Sequence, residues 1–153
     1  MTDKVFEPFS NAVREVCKQM LDMDAEIGAA SSGSVPASGD RVSIMVGFTG
    51  DYSGETYYIF PRHTALEIVK SMSGMEINDI DEFVTSALGE ISNIISGNAM
   101  TGLSELAIAC DILPPQLVEG GESVEAGGER IIRTGIRTPL GDIDLVVKVR
   151  AAQ

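Results

Sequence analysis

Aromatic residues make up only 5% of this 153-residue chain, so no aromatic-rich pocket for a small ligand is suggested. Cysteine occurs twice, as Cys17 and Cys110, and neither belongs to a CxxC pair. Two cysteines do not build a disulfide framework, and they read as buried thiols in a reducing cytosol. Histidine occurs once, and no His/Cys cluster for a metal is visible. A phosphate-cradling loop (Gly, four residues, Gly, Lys, then Ser or Thr) is missing as well. No apolar run is long enough to span a bilayer. The first residues, MTDKVFEPFSNAV, lack the apolar core of a signal peptide, so a cytoplasmic protein is expected. Positive charge is scarce: 11 Lys and Arg against 23 Asp and Glu give a net charge of −12. Nucleic acid phosphates and anionic membranes would be repelled. Basic patches on a partner would be attracted.

What is present suits one domain, 1–153. A chain of this length buries roughly 70% of its unfolded surface without covalent staples. At 44% hydrophobic and 22% charged it reads as an ordinary globule. Val5, Phe9, Val13, Val16 and Met20 recur at helical spacing, with Phe6, Cys17 and Leu21 beside them. They predict an amphipathic helix over Asp3 to Met23, with Pro8 in its first turns or at a kink. Gly28 to Asp40 is small and polar, and reads as a loop inside the domain. Arg41 to Phe48 and Glu55 to Phe60 read as a hairpin about a Gly-rich turn, ended by Pro61. A shorter helix follows and closes at Gly74. The longest helix is expected from about Ile80 to Thr101, with Asp79 and Asp81 near its positive end. DILPPQLVEGG then holds two prolines and a possible strand. Two strands about TPLGD end the chain, and the acidic run EGGESVEAGGE before them reads as a mobile loop. This segregation predicts an α+β fold, with helices covering a mostly antiparallel sheet.

The long helix raises a chemical question. At roughly 100° per residue, Val84, Ala87, Leu88, Ile91, Ile94 and Ile95 fall near Ile80 and form a core stripe. Asn98 falls on that stripe, and a buried, bonded amide is expected there. Ser86, Glu90, Asn93 and Gly97 form an outward ridge instead, with Gly89 at its outer edge. Each glycine costs roughly 1 kcal/mol against alanine in a helix interior. Clearance for another surface is the simplest reason to keep two of them. A carboxamide donates and accepts at once, so Asn93 can hold a water in a fixed orientation. Glu90 offers a charged clamp for a partner's lysine or arginine. Each residue alone is equally compatible with a plain solvated surface.

SALGEISNIISGNA, with Ser86, Glu90 and Asn93 in register, resembles the active-site helix of the CheC/CheX/FliY phosphatases of bacterial chemotaxis. GFTGDYSGETYYIF resembles the family's Gly-rich hairpin, and ILPPQLVEGG its Pro-containing strand entry. Pro115, with Pro114 beside it, sits one residue short of the family's spacing. The first helix has Glu15 but Lys18 where a second motif would need asparagine, a single-site pattern similar to CheX. The resemblance implies a CheC-like α+β fold and a homodimer. It also implies hydrolysis of the aspartyl phosphate on a CheY-like receiver domain, in chemotaxis or related two-component signalling. Asn93 would orient the water, Glu90 would meet the receiver's lysine, and Ser86, Gly89 and Gly97 would border the docking ridge. No cofactor of the chain's own is implied, since Mg²⁺ is expected in the receiver. Two rivals are a non-catalytic module that docks to a receiver or flagellar switch, and a small-ligand sensor. His63 reads as a surface or capping residue, and Arg62 with Lys70 are too few for an anion site. An exposed strand such as Ile131 to Thr138 is a candidate for pairing across chains.

Overall fold

Helix α1 (Thr2–Leu21) forms where apolar residues return every third or fourth position. It opens the computed structural model, which describes residues 2–29, 31–32, 40–118 and 130–151. Val5, Phe9, Val13, Val16 and Cys17 are buried along one side, whereas Met20, expected on that stripe, is 42% exposed. Phe9 meets Phe48 of the sheet with ring centroids 5.6 Å apart, which ties the helix to the layer beneath. Burial pushes the Cys17 thiol up to about 11, in keeping with an inert structural cysteine.

The sheet contains β1 (Glu26–Ile27), β2 (Ser31–Ser32), β3 (Arg41–Gly50), β4 (Tyr52–Pro61), β5 (Cys110–Ile112), β6 (Gln116–Val118), β7 (Arg130–Thr138) and β8 (Gly141–Ala151). Its order is β1-β7-β8-β4-β3-β5, with β2 also on β7 and β6 also on β3. Every described pairing is antiparallel. The hairpin β3–β4 turns tightly at Asp51, so Tyr52, Ser53 and Gly54, read as turn from sequence, belong to a strand. β1 and β2 flank and enter the stretch read as a loop; two-residue strands carry too little pattern to be seen. Residues 119–129, expected to form a mobile loop, lie outside the described residues, as do residue 30 and residues 33–39 of the earlier loop.

Alternation decides which face is covered. Val42, Ile44, Val46 and Phe48 of β3 are buried under the helices, as are Thr56, Tyr58 and Phe60 of β4. Ile143, Leu145, Val147 and Val149 continue the same core through β8. Ile59, Ile131 and Val146 make a smaller cluster with Tyr57. Arg150 grips Glu55 through two hydrogen bonds of 3.3 and 2.9 Å, and Arg41 reaches Asp144 at 3.6 Å.

Helix α2 (Arg62–Ser73) stops at Gly74, which adopts φ 71° and donates its N–H to the Lys70 carbonyl. His63 is exposed in its first turn, as expected of a surface residue. Helix α3 (Glu82–Glu105) begins where the Asp81 carboxylate accepts a 3.0 Å hydrogen bond from the Val84 N–H. Asp79 instead pairs with Arg62 at 3.3 Å. The helix runs one turn beyond the expected end because Gly102 is useful inside it. A Cβ there would lie 3.1 Å from Pro8, so the glycine lets α1 and α3 pack closely. Pro8 is buried inside α1 at this contact. No helix among the described residues is long and apolar enough to cross a membrane.

Candidate functional site

Helix α3 exposes its polar residues by rotation. Val84, Leu88, Ile91, Ser92, Ile95, Ser96, Ala99 and Leu103 are buried. The centre of the buried stripe is therefore turned about 70° from that of the expected one, at 100° per residue. Small residues let the helix rest on the sheet, where Ser96 Oγ and Tyr58 OH share a 2.7 Å hydrogen bond. Burial raises the Tyr58 pKa, so the phenol stays protonated and the pair is a neutral pin.

Three expectations change with that rotation. Asn98 is only half-buried, and it lines a cavity of about 660 Å³ between α1 and α3 rather than the core. Gly89 is buried, not at an outer edge. Ala87 and Ile94 are only partly buried against the core. Glu15 lines the same inter-helix cavity as Asn98, while Lys18, where a second motif would need asparagine, pairs with Asp24 at 3.5 Å.

The outward ridge stands as expected: Ser86 and Glu90 are exposed, Asn93 and Gly97 half-exposed. Ser86, Gly89, Glu90 and Asn93 also line one open groove of about 490 Å³, with Thr85 beside them. The opposite wall is Ile44 with Pro115, Gln116 and Leu117. Sequence reasoning singled out Pro115 but gave it no position. Here it faces Gly89: a Cβ on that glycine would meet Pro115 Cγ at 4.0 Å. Gln116 and Leu117 were missed. Their place follows from the pairing of β6 with β3, where Leu117 lies opposite Ile44, and that register has no local signature.

Glycine separates into two kinds along α3. Gly102 has an internal reason, the contact with Pro8. A Cβ at Gly97 would meet nothing within 4 Å, so nothing among the described residues requires its absence. The bare backbone at Gly97 is open only toward whatever approaches from outside.

The groove's polar groups are chemically uncommitted. Among the described residues, neither the Glu90 carboxylate nor the Asn93 carboxamide has a hydrogen-bond or ion-pair partner. Among the described residues no Lys or Arg lines the groove, so Glu90 offers a carboxylate to a cation brought from elsewhere. Asn93 lies one turn further on and can donate and accept simultaneously. No three His, Cys, Asp or Glu side chains converge among the described residues. The groove thus places a side chain able to orient a water beside one able to clamp a cation.

Comparison with known proteins gives a consistent picture. The family model described as chemotaxis phosphatase CheX matches residues 42–132. The CheY-P phosphatase CheX of Thermotoga maritima is 31% identical over 121 residues, which is 78% of either chain. The crystal structure of a chemotaxis protein CheX from Desulfovibrio desulfuricans superposes with a TM-score of 0.84 at 26% identity, covering 95% of this chain and 99% of that one. The CheX–CheY–BeF3–Mg2+ complex from Borrelia burgdorferi superposes with a TM-score of 0.79 at 25% identity, covering 95% and 97%. By its sequence, its CheC-like fold and its matched length, the chain belongs to the family of the chemotaxis phosphatase CheX.

Proposed function

We propose that this protein accelerates hydrolysis of the aspartyl phosphate on a CheY-like receiver domain. The observation that carries this reading is the pair Glu90 and Asn93, unengaged on a ridge beside an open groove. The Thermotoga relative, named a CheY-P phosphatase, and the Borrelia complex with CheY support it. In this mechanism the receiver docks along the ridge and presents its acyl phosphate. Asn93 holds a water in line with phosphorus. The water oxygen bonds to phosphorus while the bond to the aspartate oxygen breaks, releasing inorganic phosphate and a free carboxylate. A neutral amide takes no proton in this step; its contribution is position. Glu90 receives a lysine of the receiver and fixes the approach. In this mechanism the receiver holds the Mg²⁺.

The test is phosphate release from a receiver charged by a small phosphodonor, with and without this protein. Release is expected to rise at least tenfold at micromolar concentrations. Binding without faster release would leave a docking module in its place. A cytoplasmic homodimer is part of the same proposal. The edge expected to pair across chains already holds β2 at Ile132 and Arg133 and β1 at Ile136 and Arg137, so only part of β7 remains for a second copy.

The ridge reading also separates stability from activity. Gly97→Ala is expected to stabilise the fold by about 0.5–1 kcal/mol, because the glycine's helix penalty is removed and a Cβ there meets no atom within 4 Å. The same side chain would stand where the receiver approaches and lower kcat/KM at least tenfold. Urea denaturation and the release assay on one preparation check both halves.

A further inference from the structure

Large apolar side chains left in water are uncommon enough on this chain to be considered one by one. Met20, Met75, Phe83, Leu106, Leu113 and Leu117 are the exposed ones among the described residues. Leu113 lies over Gly47 of β3, with its Cδ1 3.0 Å from where a Cβ would stand. Leu106 borders the other cavity, between α1 and α3. Two lie about the outward ridge, one on the crest of α3 and one in the Glu90–Asn93 groove. Leu117 lines its wall and is 45% exposed. Phe83 is 48% exposed and precedes Glu90 by seven residues. Seven residues at 100° each leave a net rotation of only about 20°, so Phe83, Glu90 and Gly97 follow one line along the crest of α3.

Nothing among the described residues explains these two positions. Phe83 lies in the first turn of α3, which is already capped by Asp81, so the helix start does not need it. Leu117 shares the helix side of the sheet with the buried Ile44, at an edge that α3 leaves open. Apolar side chains set about a polar centre are the usual anatomy of a recognition surface, in which shielded anchors exclude water from the charged contacts.

We infer that Phe83 and Leu117 are the apolar anchors on which the receiver docks, Phe83 at one end of the crest and Leu117 across the groove. This rests on the function proposed above and assigns its recognition elements. The partner it fits is a receiver domain with apolar side chains on two sides of its phosphorylated aspartate and a cationic group between them. Docking is polarised along α3: hydrophobic contact is made at Phe83, charge is met at Glu90, and backbone is approached at Gly97. Phe83 and Leu117 touch no reacting atom, so they set affinity and leave the chemical step alone.

The experiment measures kcat and KM for phosphate release by the full chain and by Phe83→Ser, Leu117→Ser and the double variant. KM is expected to rise about tenfold for each single variant, with kcat within twofold, and further for the pair. Phe83→Leu should recover most of the affinity. Melting curves of all variants should overlay the wild type, because both side chains are half in water. Unchanged KM in a wild type that does accelerate release would overturn the anchors and leave the function standing. A change in mass by light scattering with KM unchanged would make the patch a contact between copies and also overturn the inference. A wild type that accelerates nothing removes the function, and the anchors with it.

Discussion

Asn93→Ala is expected to lower phosphate release about 100-fold or more, with the receiver still bound. The magnitude follows from the role: a water displaced by about 1 Å from the line of attack costs on the order of 10²-fold. Stability should move by less than about 0.5 kcal/mol, since Asn93 is half-buried and makes no hydrogen bond among the described residues. Asn93→Asp is the sharper variant. It keeps the size of the side chain, removes the donor and adds a negative charge that would meet an anionic phosphoryl group. Its rate should fall at least as far as that of Asn93→Ala. A rate near wild type for either variant removes Asn93 from the mechanism. Single-turnover release and receiver affinity, measured separately, distinguish lost positioning from lost docking.

Gly54→Ala is expected to have the largest effect on folding. Gly54 sits in β4, paired with Phe48 on one side and Val149 on the other. A Cβ there would run into the Lys148 carbonyl and would lie 3.0 Å from Phe48 Cζ. The first neighbour is backbone and cannot move aside without breaking the β4–β8 ladder. The second is the ring that also touches Phe9 of α1, so it has little room to retreat. One methyl should cost at least about 3 kcal/mol, a large part of the 5–15 kcal/mol that holds an ordinary domain together. Urea unfolding should show a midpoint well below wild type, or the protein should collect in the insoluble fraction. A wild-type midpoint would mean that the two strands are further apart than described.

The sequence disclosed the ridge more readily than the wall that faces it. Ser86, Glu90, Asn93 and Gly97 lie on one helix, so a projection suffices to bring them together. Pro115, Gln116 and Leu117 reach the groove through the pairing of a three-residue strand, which depends on long-range register. Val84, Leu88, Ile91 and Ile95 are buried as the core stripe of α3 requires, but hydropathy favours isoleucine and does not show that Ser92, Ser96 and Ala99 are buried as well. Polarity alone does not reveal that a hydroxyl is buried against Tyr58. Gly97 and Gly102 look alike in the sequence, and only Pro8 shows that one of them serves internal packing. The Gly-rich hairpin was recognisable, but its glycine at position 54 answers to a neighbouring strand and not to a turn.

The pins on α3 have an entropic consequence. The Asp81 cap holds its start, the Tyr58–Ser96 bond holds its underside, and Pro8 meets Gly102 near its end. The backbone that carries Asn93 is therefore immobilised during folding, before any receiver arrives. Ordering a free residue would cost about 1–2 kcal/mol of backbone entropy at each encounter. Here only the rotors of a few side chains remain to be fixed. Amide hydrogen exchange through the middle of α3 should accordingly be among the slowest in the chain, and should slow little further when a receiver binds.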